Sequence, residues 1–163
     1  MPFNIRVDGL QDLMRNMNNL PEKATEVAAL ALYDGAGVVA DAVSHAVQGI
    51  ATEPFRYVKD GTKRKASPEE KAIIQNAKKG VSKFRKNGIS VTTSVGMQNA
   101  GYAELKGKRK PIPQIANAIN SGTSFMEKQP FLRKAFSQSK RAAEAAIEAG
   151  IKAHEELLDP SQS

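Results

Sequence analysis

The sequence predicts an α+β fold: two long helices packed on a small, mostly antiparallel, twisted sheet, with a basic helix and loop inserted between them. Two segments, FNIRV near the start and ISVTTSVGM from Ile89, alternate apolar and polar residues with the period of a half-buried strand. Two others, Pro21 to about Gln48 and Phe131 to about Leu158, repeat their apolar residues at helical spacing. The 163 residues fit one domain, expected over 1–158, with a frayed tail at 159–163 and a basic insertion at 59–88.

In FNIRV, Phe3, Ile5 and Val7 share one strand face. Asp8-Gly9 turns the chain. Leu10, Leu13, Met14, Met17 and Leu20 then outline a short amphipathic helix. Pro21 suits the first turn of the long helix that follows. Its expected buried stripe is Val27, Leu30, Ala31, Val38, Ala42 and His45, and its Gly35 and Gly37 allow a neighbouring helix to come close. GIATEPFRYVKDGTKRKAS reads as loop. SPEEKAIIQNAKKGVSKFRK opens with Ser67 as N-cap, Pro68 at the first helical position and Glu70 three residues after the cap, a capping box. Its few apolar and many lysine residues predict a solvated or partner-facing helix, with Gly80 as an interruption.

Asn87-Gly88 is a hairpin-turn signal. Beyond it, Ile89, Val91, Thr93, Val95 and Met97 form one strand face. NAGYAELKGKRKP reads as a loop or a further short strand. PIPQIANAINSG holds a short helix with Ile115, Ala118 and Ile119 on one side and Gly122 as its stop. QPFLRKAF, Gln129 to Phe136, places two aromatic rings, a leucine and two cations where Pro130 opens the last long helix. Its stripe of Leu132, Ala135, Phe136, Ala143, Ala146, Ile147, Gly150, Ile151, His154 and Leu158 thins from Phe to Ala towards the C-terminus, so the thick end packs deepest.

Charge is concentrated in the middle. Lys59 to Lys86 hold ten Lys or Arg against three acids, a local +7 that equals the formal net charge of the chain. A second basic knot, KGKRK, runs from Lys106 to Lys110. Such a surface fits a polyanionic or acidic partner. The candidate contacts are Lys63, Arg64, Lys65, Lys78, Lys79, Lys83, Arg85 and Lys86. Phe55, Tyr57 and Phe84 are interleaved with these cations but are too few along the chain for a stacking platform. No helix-turn-helix, zinc-finger or RNP-like signature accompanies the charge, so direct sequence-specific DNA reading is disfavoured.

Several chemistries are set aside. There are no cysteines, which removes disulfides, cysteine-zinc sites and a cysteine nucleophile. His45 and His154 lie on helices without companion ligands and read as structural. No G-x-S-x-G, P-loop or G-x-G-x-x-G occurs. Glu69-Glu70 and Glu155-Glu156 sit in charged runs where a raised pKa is not expected. No catalytic residue, cofactor or metal is therefore expected. The N-terminus lacks the pattern of a secretory signal, and no apolar run approaches the roughly 20 residues that cross a bilayer, so a soluble chain is expected.

The order of pieces resembles a known family. A strand and Gly9-Leu10-x-x-Leu13 lead into a long alanine-rich helix. A variable middle follows, then a strand ending in Val95-Gly96. Next come Ile115-Ala116-x-x-Ile119-x-x-Gly122-Thr123, Pro130-Phe131-Leu132-Arg133-x-Ala135 and a terminal helix. This resembles the neck or tail-completion proteins of long, non-contractile tailed phages, the minor tail protein Z-like group. The resemblance implies a non-enzymatic virion subunit, assembled in the host cytoplasm. It implies a ring of six between head-tail connector and tail terminator proteins, around the channel that DNA crosses. It gives Gly122, Thr123, Pro130, Phe131, Leu132 and Arg133 an architectural role: the first two turn the chain and the others fix the last helix. The middle, EPFRYVKDGTKRKASPEEK, departs from the family's Pro-x-x-Thr-Gly-x-Leu-like segment, and Ser121 stands where the family carries an acidic or aromatic residue. The alternative expectation is a non-specific nucleic-acid-binding protein acting through Lys59–Lys86.

Overall fold

In the computed structural model, residues 3–7, 21–81, 83–87, 90–97 and 100–158 are described. They form an α+β fold with two antiparallel sheets and four helices. In chain order these are β1 (Phe3–Val7), α1 (Pro21–Gln48), α2 (Pro68–Asn76), β2 (Gly80–Val81), β3 (Arg85–Asn87), β4 (Ser90–Gly96), β5 (Tyr102–Leu105), β6 (Lys108–Pro111), α3 (Ile112–Ser121) and α4 (Phe131–Leu158). The helix expected over Leu10–Leu20, Gly88 of the turn signal, Ile89 and the tail at 159–163 lie outside the described residues. Two compact units emerge. One contains Asp41–Gly80 and Gly96–Gln138; the other draws on Phe3–Ala40, Val81–Val95 and Ser139–Ser163.

In the second unit, β4 is the central strand. It pairs antiparallel with β1, from Phe3 opposite Val95 to Val7 opposite Val91, and with β3, where Arg85 faces Thr92 and Lys86 faces Val91. The alternation in the sequence is realised on β4: Val91, Thr93 and Val95 are buried while Thr92 and Ser94 are half-exposed. The helices of this unit meet through small residues. A Cβ placed on Gly35 would lie 2.5 Å from the Ile147 side chain, and one on Gly150 would lie 3.0 Å from the Ala31 backbone. Two helices approach this closely only where a side chain is missing.

The buried stripe of α1 differs from the expected one. Ala24, Val27, Ala28, Ala31, Leu32 and Val39 are buried here, with Val43 and Val47 buried in the other unit, whereas Leu30 and His45 are exposed. A helix this rich in alanine is apolar around much of its circumference, so periodicity does not set its phase. Lys23–Gln48 is in fact long and apolar enough, by length and composition, to cross a bilayer. That corrects the reading from apolar runs; half of the stretch is buried within the fold, as in the core helix of a globular protein.

In the first unit, the capping box forms as expected. Ser67 Oγ accepts from the Glu70 N–H and the Glu70 carboxylate accepts from the Ser67 N–H. The helix is shorter than the period implied, ending at Asn76, and the described residues from Lys78 to Lys86 continue as loop and short strands. Nor is α2 merely solvated: Ile74 is fully buried and Glu70 nearly so. The KGKRK knot is the turn and second strand of a β-hairpin, with Leu105 opposite Lys108 and Tyr102 opposite Pro111. Its two turn residues, Lys106 and Gly107, both take positive φ, at 52° and 73°, the geometry of a two-residue primed turn. The hairpin contacts α2 through β5 and α3 through β6.

Candidate functional site

The first unit gathers its polar chemistry around one buried ion pair. Arg64 lies on the loop before α2, and its guanidinium donates two parallel hydrogen bonds, both 2.8 Å, to the two carboxylate oxygens of Glu70. Arg64 is 4% exposed and Glu70 3%. A third bond from Arg64 Nη1 reaches the Lys65 carbonyl at 3.0 Å, and Glu70 also caps its own helix at Ser67. Two-pronged pairing of this kind fits the planar guanidinium to the planar carboxylate. It raises the Arg64 pKa further above the ordinary range, the Glu70 hydrogen bonds being the main cause. For Glu70, burial favours the neutral acid, but the bonds from Arg64 and Ser67 together outweigh it and hold the carboxyl below the usual range.

The backbone of Arg64 is engaged as well. Its N–H donates to the Phe125 carbonyl at 2.9 Å and its carbonyl accepts from the Glu127 N–H at 2.8 Å, a parallel bridge opposite Met126. One residue therefore links the loop before α2, the first turn of α2 and the segment that precedes α4. Arg64 is accordingly not available as a surface contact, contrary to the expectation from charge alone.

The other predicted cations take varied places. Lys63 and Lys65 are exposed on the same loop, with their carbonyls accepting from Arg56 and Arg64. Lys78 is exposed, but Lys79 folds back so that Nζ donates to the Ile74 and Gln75 carbonyls at the end of α2. Burial pushes that ammonium below the ordinary lysine range. Lys71 likewise donates to the Gln48 and Ile50 carbonyls. Lys83, Arg85 and Lys86 are exposed and belong to the second unit. Phe84 belongs to it too, edge-on to Tyr33 with ring centroids 6.3 Å apart.

The architectural residues come together tightly. Gly122 ends α3 with φ 74° and ψ 168°, a combination that is essentially glycine-only. A Cβ there would meet Lys128 Cβ and N at 3.1 Å. Thr123 Oγ1 accepts from the N–H groups of Phe125 and Met126, and the Thr123 N–H donates to the Met126 carbonyl. The returning strand of chain is tied to α3: Gln129 N–H donates to the Ile119 carbonyl and Leu132 N–H to Asn120 Oδ1. The Gln129 side-chain amide pairs with both the N–H and the carbonyl of Ala51. Pro130 supplies the carbonyl that accepts the first helical bond of α4, from Lys134. Phe131 and Leu132 are buried, while Arg133 is exposed.

Above the ion pair opens a cavity of about 350 Å³ lined by aromatic rings and cations. A second, of about 410 Å³, lies towards α3 and shares Arg64, Glu70, Leu105, Lys110 and Phe125. Phe55 receives Arg64 at 4.8 Å and Lys106 at 4.7 Å from its ring centroid, and meets Tyr57 edge-on at 5.1 Å. Sequence reasoning did not assemble this cleft, because Tyr57, Lys108 and Phe125 are far apart along the chain. The aromatic-cation mixture in FRYVK and the Lys-Gly turn flanked by YAEL and KRKP were its visible signals. Among the described residues no cluster of three His, Asp or Glu side chains is arranged to hold a metal ion. No protein-family model, curated protein or solved structure matches the chain.

Proposed function

We propose that the chain is a structural virion protein of a tailed phage: a neck or tail-completion subunit that joins the tail to the head connector as part of a ring, six-membered in that family. The observation that carries this reading is the junction between α3 and α4. Gly122 and Thr123 turn the chain, and Gln129 to Leu132 bind it back to α3 while Phe131 and Leu132 bury the start of α4. Gly122, Thr123, Pro130, Phe131 and Leu132 are among the residues on which the family resemblance rests, and each has a place in this junction, whereas Arg133 of the same motif is exposed. The order of β1, α1, β4, α3 and α4 also agrees with what the resemblance implies.

In this reading the protein performs no reaction and needs no cofactor. Its partners are the connector and terminator proteins of the same particle. The exposed Lys63, Lys65 and Lys78 contact passing DNA or an acidic neighbour. The test is electron microscopy of a lysate from phage deleted for this gene, beside a complemented culture. Full heads unjoined to tails, or tails with an abnormal head-proximal end, are expected, with rescue on complementation. Normal infectious particles from the deletion would end the structural reading.

A further inference from the structure

The cleft over the Arg64–Glu70 pair is more than a positively charged patch. Its cations and its rings have separate positions. Lys108 and Lys110 are two residues apart on β6, hence on one face of the strand and roughly 6.6 Å apart along it. Both line the cavity, both are exposed, and among the described residues neither has an ion-pair partner. Arg109, between them, belongs to the opposite face, where it lies 4.6 Å over the Tyr102 ring. The acid within the cavity lining, Glu70, is already neutralised by Arg64. The anion-binding capacity of the cleft is therefore undiluted.

The rings are unusual for a surface. Tyr57 is 80% exposed and Phe125 48% exposed. Tyr57 is nonetheless held in place, because its ring abuts Phe55, which Arg64 and Lys106 hold in turn. The backbone of Phe125 is anchored, its carbonyl accepting from the Arg64 N–H, and its ring lines the same cavity. A flat, exposed, pre-positioned ring beside a row of unpaired cations is what a stacked base and its phosphate require. An acidic peptide would satisfy the lysines but leave the rings uncovered. A duplex would offer phosphates but keeps its bases stacked inside, out of reach of rings in a cleft.

We propose that this cleft binds single-stranded nucleic acid without sequence preference, with Lys108 and Lys110 on successive phosphates and Tyr57 and Phe125 stacking bases. The exposed Lys63, Lys65 and Lys78 do not line the cleft, and the proposal does not depend on the virion reading.

Fluorescence anisotropy of the full chain with a labelled oligo-dT strand, as a function of salt, tests it. Binding at low salt is expected, with unlabelled duplex and poly-glutamate both competing only weakly. Lys108→Glu with Lys110→Glu should abolish binding. Replacing the same two lysines by Ala should flatten the plot of log affinity against log salt by about 1.4, two single-strand phosphate contacts. Tyr57→Ala should weaken binding about fivefold to a hundredfold, the value of one stacked base, and Arg109→Ala only slightly. All these side chains are exposed, so the variants fold. No binding at low salt overturns the proposal. So does equal competition by duplex together with an unaffected Tyr57→Ala variant, which would reduce the cleft to a general polyanion surface. Poly-glutamate competing as well as oligo-dT would also overturn it, in favour of an acidic protein partner.

Discussion

Replacing Glu70 by Leu should be the most damaging single change in the first unit. The side chain keeps its approximate volume, but Arg64 is left with a buried guanidinium and without the carboxylate bonded to it, Glu53 acting only at longer range. Arg64 is 4% exposed and sits in a loop tied to Phe125 and Glu127 on both sides of its peptide unit, so it cannot swing out without breaking that bridge. Breaking a buried pair in this way costs about 3–5 kcal/mol. The carboxylate is also the acceptor for the Ser67 N–H, and losing that half of the capping box adds roughly 1 kcal/mol for an unmade hydrogen bond, the Ser67 Oγ cap on the backbone N–H of residue 70 being kept. A total of about 4–6 kcal/mol corresponds to a fall in Tm of roughly 8–24 °C for a chain of this size. Thermal unfolding followed by far-UV circular dichroism measures it. The double variant Arg64→Met, Glu70→Leu supplies the control. With both charges gone the isolated-charge penalty disappears, so the double variant should be clearly more stable than Glu70→Leu alone. A Glu70→Leu protein melting within a few degrees of wild type would refute the reasoning, as would a double variant whose losses simply add.

Acid should act through the same carboxyl. Its folded pKa is depressed below the ordinary value, so its contribution to stability is present above about pH 4.3 and is lost as pH falls through the folded value. The double variant should show a flatter stability profile in that acid window, measured by urea unfolding at stepped pH. Gly122→Ala should lower stability by about 1–3 kcal/mol, because its φ and ψ are nearly closed to other residues and the new methyl meets the Lys128 backbone at 3.1 Å; an unchanged urea midpoint would argue against a role for the turn. Gly150→Ala and Gly35→Ala should both destabilise. A Cβ at Gly150 meets the Ala31 backbone at 3.0 Å, and one at Gly35 meets Ile147 Cγ1 at 2.5 Å, the inner carbon of a stiff β-branched side chain, with the Ala143 carbonyl at 3.2 Å. The helix-propensity gain of about 1 kcal/mol offsets only part of each loss, and a Tm at or above wild type for either variant would count against the close helix approach.

The parts of the fold that were legible in the sequence are those set by local rules. Ser67, Pro68 and Glu70 announced a helix start, because a cap is a contact within four residues. Val91, Thr93 and Val95 announced a strand face, because one face of β4 is buried and the other is not. Gly122 and Pro130 bracketed a turn that only those backbones favour. What escaped depended on distance along the chain. Arg64 looked like any cation of a basic loop until Phe125 and Glu127 closed over it. The charge of α2 hid Ile74, its buried anchor, and the charge of KRKP held NAGYAELKGKRKP between loop and short strand, where the structure has a hairpin whose second strand alternates between the cleft and the Tyr102 face. In α1 the obstacle was different. Alanine tolerates either side of a helix, so the stripe that is buried was decided by neighbours and not by period.

The two compact units are interleaved along the chain, each drawing on segments that the other interrupts. This has a consequence for synthesis on the ribosome. The Arg64–Glu70 pair is six residues wide and can form early, but the strand of chain that covers Arg64 emerges some sixty residues later. Loop closure of that length is slow to begin and inexpensive once made. Until Phe125 to Gln129 have been translated, the first unit has an ion pair without its cover. The second unit must wait longer, for the residues beyond Ser139. Neither unit is a contiguous piece that could be expressed alone by trimming the ends of the gene. A truncation anywhere in α4 would therefore remove material from a body that began to form with the first strand.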